Sequence, residues 1–374
     1  MILHIDGRFC TQPTTGVQRY GQQLLAALDA LVAQGGLPLP IERILIHTPR
    51  ATRSTIPTFR AIGVRSYGRW HGHAWEQLEL PHHSRSGVLF CPGNTAPVVS
   101  LVGRMPVVVT VHSLAFRQCP EAYSRRFRAW YNGLMPLIMR RAARIVTVSE
   151  AERVNILRTY PAAGDRVVAI QNGSTPVGAT RVFGPPPAHW PYVLYVGSLS
   201  ACKNFSGLLA AFAQLARERP DLRLVVVGGT PAAFAPPRSI PDAAIRDRVV
   251  FLGQVDDDEV LADAYHHASC LVFPSLYEAS PLPPTEAMAH GCPVVAADIP
   301  ALRERCGDAA LLCDPREPAS IASAIVRVLD DPALAHDLRA AGVRRAGSFT
   351  WQACAESTLH VLRDVAMRHA LTTR

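Results

Sequence analysis

Two glutamates, Glu278 and Glu286, stand eight residues apart in Phe273–Val295, FPSLYEASPLPPTEAMAHGCPVV. The run opens as an apolar strand ending at Pro274, passes through a loop carrying Glu278, and enters a helix whose first turn is expected to hold Glu286. A carboxylate so placed accepts hydrogen bonds from a vicinal diol such as a ribose, while the amides of the loop and helix N-terminus suit a phosphate. Taken alone, the pair would more simply complement the helix dipole and face solvent. Lys203 is the single lysine in the chain and stands next to last in Ser198-Leu-Ser-Ala-Cys-Lys-Asn204, directly behind the apolar run Tyr192–Gly197. Taken alone, a lone lysine is usually a solvated surface group. In the first half, His112-Ser113 ends the run Val107–Val111, and Thr14-Thr-Gly-Val-Gln-Arg-Tyr20 puts Gly16 between a first strand and a first helix. Glycine there lets backbone approach a ligand, though a simple turn or a structural histidine would use the same residues.

These residues need strand ends and helix starts to hold them, and the pattern supplies both. The first half reads as strands at Leu3–Asp6, Ile41–His47, Val88–Phe90, Val107–Val111, Ile145–Val148 and Val167–Ile170. Val17, Tyr20, Leu24, Leu25, Leu28, Leu31 and Val32 fall at helical spacing, with Thr15 and Gln18 as a capping box and Gly35-Gly36 as the stop. Ser149 and Glu152 repeat the capping-box spacing. Residues 176–191 then interrupt with five prolines and two glycines. Beyond them come strand Tyr192–Val196, helix Phe205–Arg219, strands Leu222–Val227 and Val249–Leu252, helix Glu259–His267, strand Cys270–Phe273, the helix opened by Pro283-Pro284, strand Pro293–Ala296 and three helices. Alternation of this kind predicts an α/β protein with two doubly wound, Rossmann-like domains facing a central cleft. The expected division is an N-terminal Rossmann-like domain over 1–178, a linker over 179–191, a second Rossmann-like domain over 192–348, and a C-terminal helix over 349–374 packing back on the first domain.

The 374 residues are 48% apolar and 18% charged, which excludes disordered, fibrous and small cross-linked classes. Apolar runs such as Pro106–Val111 fall far short of a membrane span, and no signal peptide is visible. Nine cysteines without a Cys-x-x-Cys pair predict reduced thiols in a cytoplasmic protein without structural zinc. Residues 1–180 carry 20 arginines against nine acids, a surplus of +11, whereas the remainder sums to −3. The basic half therefore faces something anionic: a membrane surface or a phosphate-bearing substrate, with nucleic acid set aside for want of its recognition modules. Arg125, Arg126 and Arg128 beside Phe127, Trp130 and Tyr131 suit either an anionic membrane or a helix with one solvated basic face. Arg50, Arg53, Arg60, Arg65 and Arg69 make a second basic stretch, expected in loop. Asp256-Asp-Asp258 reads as a helix-capping cluster rather than a metal site.

The segment from Glu278 resembles the signature of retaining glycosyltransferases of family 4, E-G-F-G-L-P-x-x-E-A-M-A-x-G-x-P-V, at Glu278, Leu282, Pro283, Glu286, Ala287, Met288, Ala289, Gly291, Pro293 and Val294. The likeness extends through Pro300–Glu304, Gly307–Ala310, Asp314-Pro315 and back to Phe251–Gly253, and Ser198–Asn204 resembles that family's diphosphate-binding turn. Gly-Phe-Gly of the signature is Ala279-Ser280-Pro281 here, the turn's arginine is Ser198, and the usual aspartate after His112 is Ser113. Pro281 lacks an N–H.

The resemblance implies a GT-B fold and a retaining hexosyltransferase in cell-surface glycan synthesis. It would move a sugar, first choice mannose from GDP-mannose, from a nucleotide diphosphate to a lipid-linked or polysaccharide acceptor. Glu278, His112 and Lys203 would be catalytic. Gly16, Ser198, Lys203, Asn204, Ser280, Leu282 and Glu286 would bind donor, and Arg125, Arg126, Arg128 and Trp130 would meet membrane or acceptor. No metal or other cofactor is demanded, nucleic acid is not a partner, and the expected location is the inner face of the cell membrane, peripherally held. The alternatives are a UDP-sugar-dependent transferase of the same family or a non-catalytic assembly partner; a UDP-sugar epimerase of the same fold is disfavoured by the Glu278–Glu286 segment.

Overall fold

The computed structural model describes residues 1–12, 15–50, 58–174, 190–229, 242, 244–255 and 257–372. Most of the expected linker, with Thr14, Arg53 and Asp256, lies outside them. The chain divides into two compact units: Met1–Arg117 with Ser124–Gly173 and Thr350–Arg374, and Gln118–Tyr123 with Ser174–Phe349.

The first unit holds a seven-stranded sheet of β1 (Ile2–Asp6), β2 (Arg43–Pro49), β3 (Gly63–Tyr67), β4 (Val88–Cys91), β5 (Val107–Thr110), β6 (Arg144–Thr147) and β7 (Val167–Ala169). Its order is β3-β2-β1-β4-β5-β6-β7, and the pairs are parallel, as in the register His4 with Leu45 and Leu89. The connecting helices are α1 (Gly16–Gly35), α2 (Gly72–Leu78), α3 (Leu80–His83), α4 (Val98–Val102), α5 (Ala115–Gln118), α6 (Arg125–Arg141) and α7 (Glu150–Thr159). The capping box of α1 forms, with Thr15 N–H donating to Gln18 Oε1 at 3.2 Å. At α7 only half of it does: Ser149 Oγ accepts from Glu152 N–H, but the buried Glu152 carboxylate turns away to accept from Leu114 N–H at 2.8 Å. β3 was not legible in sequence, because an edge strand reading Gly-Val-Arg-Ser-Tyr carries little apolar signal. Arg65 therefore sits in a strand, not a loop.

The second unit holds six parallel strands, β8 (Tyr192–Val196), β9 (Arg223–Val227), β10 (Val249–Gly253), β11 (Cys270–Phe273), β12 (Val294–Ala297) and β13 (Leu311–Cys313), in the order β10-β9-β8-β11-β12-β13. Around it run α8 (Phe205–Glu218), α9 (Asp258–His267), α10 (Leu282–Ala289), α11 (Pro300–Cys306), α12 (Pro318–Asp330) and α13 (Pro332–Gly347). Alternate residues of each strand enter opposite cores. Val193, Tyr195, Leu224 and Val226 pack with α8 and α12, while Tyr192, Leu194, Val225 and Phe273 pack with Tyr265 and Met288. The three-residue edge strand β13 was also missed, and α14 (Trp351–Thr372) makes four helices after β12 where three were expected. α14 belongs to the first unit, packed along α1. Gly173 allows this: a Cβ there would stand 2.3 Å from Trp351 N.

Candidate functional site

In the second unit the strand order reverses between β8 and β11, so the segments leaving their carboxyl ends lie side by side. After β8 the chain runs close to β9. Gly197 N–H donates to Val227 O, and a Cβ on Gly228, at φ +128°, would stand 2.1 Å from Gly197 O. Tyr195 OH donates to Ser198 O at 2.7 Å, and the hydroxyls of Ser198 and Ser200 are 3.2 Å apart. A short 3-10 turn, Ala201–Lys203, follows.

Lys203 Nζ then reaches Glu278 Oε1 at 2.5 Å and lies 5.6 Å from the Phe273 ring centroid. The ion pair joins the two segments across 75 residues of sequence. Asn204 takes a left-handed conformation (φ 54°, ψ 39°) tolerated by its short amide side chain, whose Nδ2 donates to Pro274 O at 3.2 Å and Pro315 O at 2.5 Å. Gly207 leaves room for this amide, since a Cβ there would meet Asn204 Oδ1 at 2.5 Å. Leu276 N–H donates to Cys202 O at 2.8 Å. Asn204 thus spends its side chain on holding the loops together.

α10 begins at Leu282 after the cap Pro281, so Glu286 is its fifth residue and not in the first turn. Pro283 and Pro284 carry no N–H, leaving Leu282 and Thr285 as the donors of the first four positions. Glu286 Oε2 accepts from Tyr265 OH at 3.0 Å, and Tyr265 stacks on His290 with centroids 5.7 Å apart. The hydroxyls of Ser275, fully buried, and Ser280 are buried without a hydrogen-bond partner. Ser275 escaped sequence reasoning; its one signal is its place directly after the strand-ending Pro274.

The first unit has a reversal of its own between β1 and β4. There Arg8 Nε donates to Glu76 Oε2 at 2.6 Å, its Nη2 to Thr95 Oγ1 at 3.1 Å, and Thr95 Oγ1 to Glu76 Oε2 at 2.7 Å, all buried. Burial and the Glu76 charge push the Asp6 carboxyl up to about 7, whereas His73, Arg8 and Thr95 hold Glu76 low against its burial. No spacing rule links Asp6, Arg8 and Glu76, so the cluster was invisible before folding. His112 is buried, and its Nε2 donates to Pro92 O at 2.8 Å while its backbone N–H donates to Asn94 Oδ1 at 2.6 Å. Desolvation lowers its pKa to about 4, so at neutral pH Nδ1 is left as an acceptor. Gly16 opens α1, exposed, with nothing within 4 Å of a would-be Cβ.

On α6, Arg125 and Arg126 are exposed, Arg128 is half-buried, and Phe127 and Trp130 expose 38% and 39% of their surface. The opposite face, Tyr131, Leu134, Met135, Ile138 and Met139, is core. Asp257 caps α9 through Glu259 N–H and Val260 N–H, as a capping aspartate should. Cys119 and Cys202 are joined as a disulfide, correcting the expectation of nine reduced thiols. With Glu121 they form the one cluster of metal-ligand type among the described residues, and their sulfurs are bonded to each other. No helix among the described residues is long and apolar enough to cross a membrane.

Residues 16–175 match the family described as Glycosyltransferase Family 4, and residues 182–345 match the one described as Glycosyl transferases group 1. Together with its two Rossmann-like units, these matches place the chain in the GT-B glycosyltransferase family. It is 29% identical over 266 residues to O-antigen chain mannosyltransferase B of Escherichia coli, covering 68% of this chain and 70% of that one. With glycogen synthase of Mycobacterium tuberculosis (strain CDC 1551 / Oshkosh) it shares 30% identity over 276 residues, 69% of this chain and 63% of that enzyme. Among solved structures, sucrose-phosphate synthase from Thermosynechococcus elongatus superposes with a TM-score of 0.71 at 24% identity, over 97% of this chain and 98% of that one, which is a likeness of fold.

Proposed function

We propose that the chain is a retaining hexosyltransferase that moves mannose from GDP-mannose to a lipid-linked or polysaccharide acceptor on the inner face of a cell membrane. The observation that carries the reading is the Lys203–Glu278 pair at the β8/β11 reversal, with Glu286 held on α10 by Tyr265. Mannose is favoured by the likeness to an O-antigen chain mannosyltransferase. With two prolines in the first turn of α10, the burden of diphosphate stabilisation falls on Lys203, the Leu282 amide and the Ser280 hydroxyl. Glu286 holds the ribose diol. Glu278 and the His112 acceptor nitrogen hold sugar hydroxyls, and Gly16 leaves open space for ligand. Ser198 and Asn204 shape the turn. In front-face attack the departing phosphate oxygen takes the acceptor proton, so the protein supplies position and charge rather than a nucleophile, and no metal is required.

Calorimetric titration with GDP-mannose, UDP-glucose and dTDP-glucose tests this reading, together with Glu286→Ala. GDP-mannose should bind tightest. Loss of a charged hydrogen bond costs about 1.5–3 kcal/mol, so the variant should bind roughly 10- to 150-fold more weakly. Tighter binding of a UDP-sugar would transfer the reading to a UDP-sugar-dependent transferase. Binding of none of the three would leave a non-catalytic assembly partner.

A further inference from the structure

We propose that Cys119 and Cys202 form a thiol–disulfide exchange site that controls the order of the turn carrying Lys203. The bond spans 83 residues of sequence. Cys119 belongs to Gln118–Tyr123, a segment whose chain neighbours on both sides group with the first unit while it groups with the second. Cys202 sits one residue from Lys203, and its carbonyl accepts from Leu276 N–H in the loop that carries Glu278. Tyr123 and Tyr277 pack against the small cluster of Cys119, Ala122 and Cys202. Whatever fixes Cys202 therefore fixes the backbone on both sides of the Lys203–Glu278 pair.

The pair is singled out by its bond as well as by position. The other seven cysteines are buried and unbridged, and burial pushes the thiols of Cys10, Cys292, Cys306 and Cys313 up to about 12, where thiolate is scarce. Both bridged sulfurs are themselves buried, but the exposed Glu121 carboxylate lies within 4.8 Å of them, so surface begins one side chain away. The exchange partner is a low-molecular-weight disulfide of the glutathione type. One cysteine thiolate attacks it, forming a mixed disulfide and expelling one thiol. The second cysteine thiolate then displaces the other, leaving Sγ–Sγ bonded. Two electrons and two protons pass from the cysteines to the oxidant, which departs as two thiols. Reduction by a dithiol reverses each step.

In the oxidised state the turn is anchored at Cys202 and its ammonium is pre-positioned. In the reduced state, Gln118–Tyr123 and Ala201–Lys203 are held together by packing alone. Peptide mapping by mass spectrometry after treatment with oxidised glutathione should find the Cys119 and Cys202 peptides cross-linked. Dithiothreitol should speed amide hydrogen exchange in residues 198–206 at least threefold in the wild type and not at all in Cys119→Ser, which stays at the faster rate under both treatments. Absence of the cross-link, or a cross-link whose reduction leaves exchange in 198–206 unchanged, overturns the proposal. A further consequence rests on the donor-site reading above: reduction should weaken GDP and UDP affinity three- to tenfold in the wild type alone. Failure of both nucleotides to bind in either state would sink that reading, while the cross-link and the exchange rates still decide this one.

Discussion

Lys203 meets a partner within the protein before any ligand arrives. Its ammonium is bound to a carboxylate that is 9% exposed, so a variant without the lysine leaves a poorly hydrated charge behind. Lys203→Ala should therefore lose both stability and turnover, and Lys203→Ala with Glu278→Gln should recover the melting temperature without recovering turnover. Interactions that strengthen as charge develops on the leaving diphosphate are read in kcat, and removal of one such donor costs on the order of 10²–10³-fold. Thermal melts and initial rates on the three proteins separate the two effects. The buried ionisable groups of the first unit set opposing pH dependences. Asp6, raised to about 7, stays protonated when folded while the unfolded chain ionises near 4, so its contribution declines as pH rises from about 4 to 7. His112, lowered to about 4, and His47, lowered to about 3, do the reverse: they stay neutral when folded, and stability is lost as pH falls below about 6.5. Two histidines outweigh one carboxyl, so stability should rise overall between pH 4 and 6.5. Asp6→Asn should steepen that rise, as measured by melting temperature in a pH series.

At the scale of elements, the turn carrying Lys203 is held by an amide rather than by helix propensity. Asn204 caps α8 in a left-handed conformation and ties the turn to the ends of β11 and β13 through Pro274 O and Pro315 O. Asn204→Gly keeps the conformation at little cost but loses both hydrogen bonds, about 2 kcal/mol at ~1 kcal/mol each. Asn204→Ala loses the bonds and adds roughly 1 kcal/mol of left-handed strain. Chemical denaturation should rank wild type above Gly above Ala, and donor KM should rise in both variants. Equal stability of all three would remove Asn204 from this role. The turn was readable in the sequence as Lys-Asn after a strand, but the two carbonyls it serves lie 70 and 111 residues away, beyond any local pattern.

At the scale of the whole molecule, part of the +11 surplus of residues 1–180 lies on α6. Exposed Val98, Val99 and Val102 lie on α4, which packs beside α6, adding apolar surface to the arginines and the rims of Phe127 and Trp130. Basic side chains at an anionic surface contribute roughly 1 kcal/mol each and fade as salt screens them. The chain should co-sediment with anionic vesicles at low ionic strength and less at high. Arg125→Ser with Arg126→Ser and Arg128→Ser should lose most of that binding. Equal sedimentation of variant and wild type at low salt would assign the basic face to something other than a membrane.

The sequence by itself determined the two doubly wound sheets, because strands buried on both faces write continuous apolar runs and amphipathic helices write a 3.6-residue period. It also marked Glu278, Glu286, Lys203 and His112, because each falls between the end of such a run and the second turn of the next helix. Tertiary structure decided what those residues touch. The order of parallel strands follows from long crossovers, and only the reversal between β8 and β11 brings Lys203 to Glu278. The reversal between β1 and β4 likewise gathers Arg8, Glu76 and Thr95 into one desolvated network. Cys119 and Cys202 carried no signal, since a disulfide depends on Cα atoms meeting at 5.9 Å, a distance that folding sets and spacing in the chain does not encode.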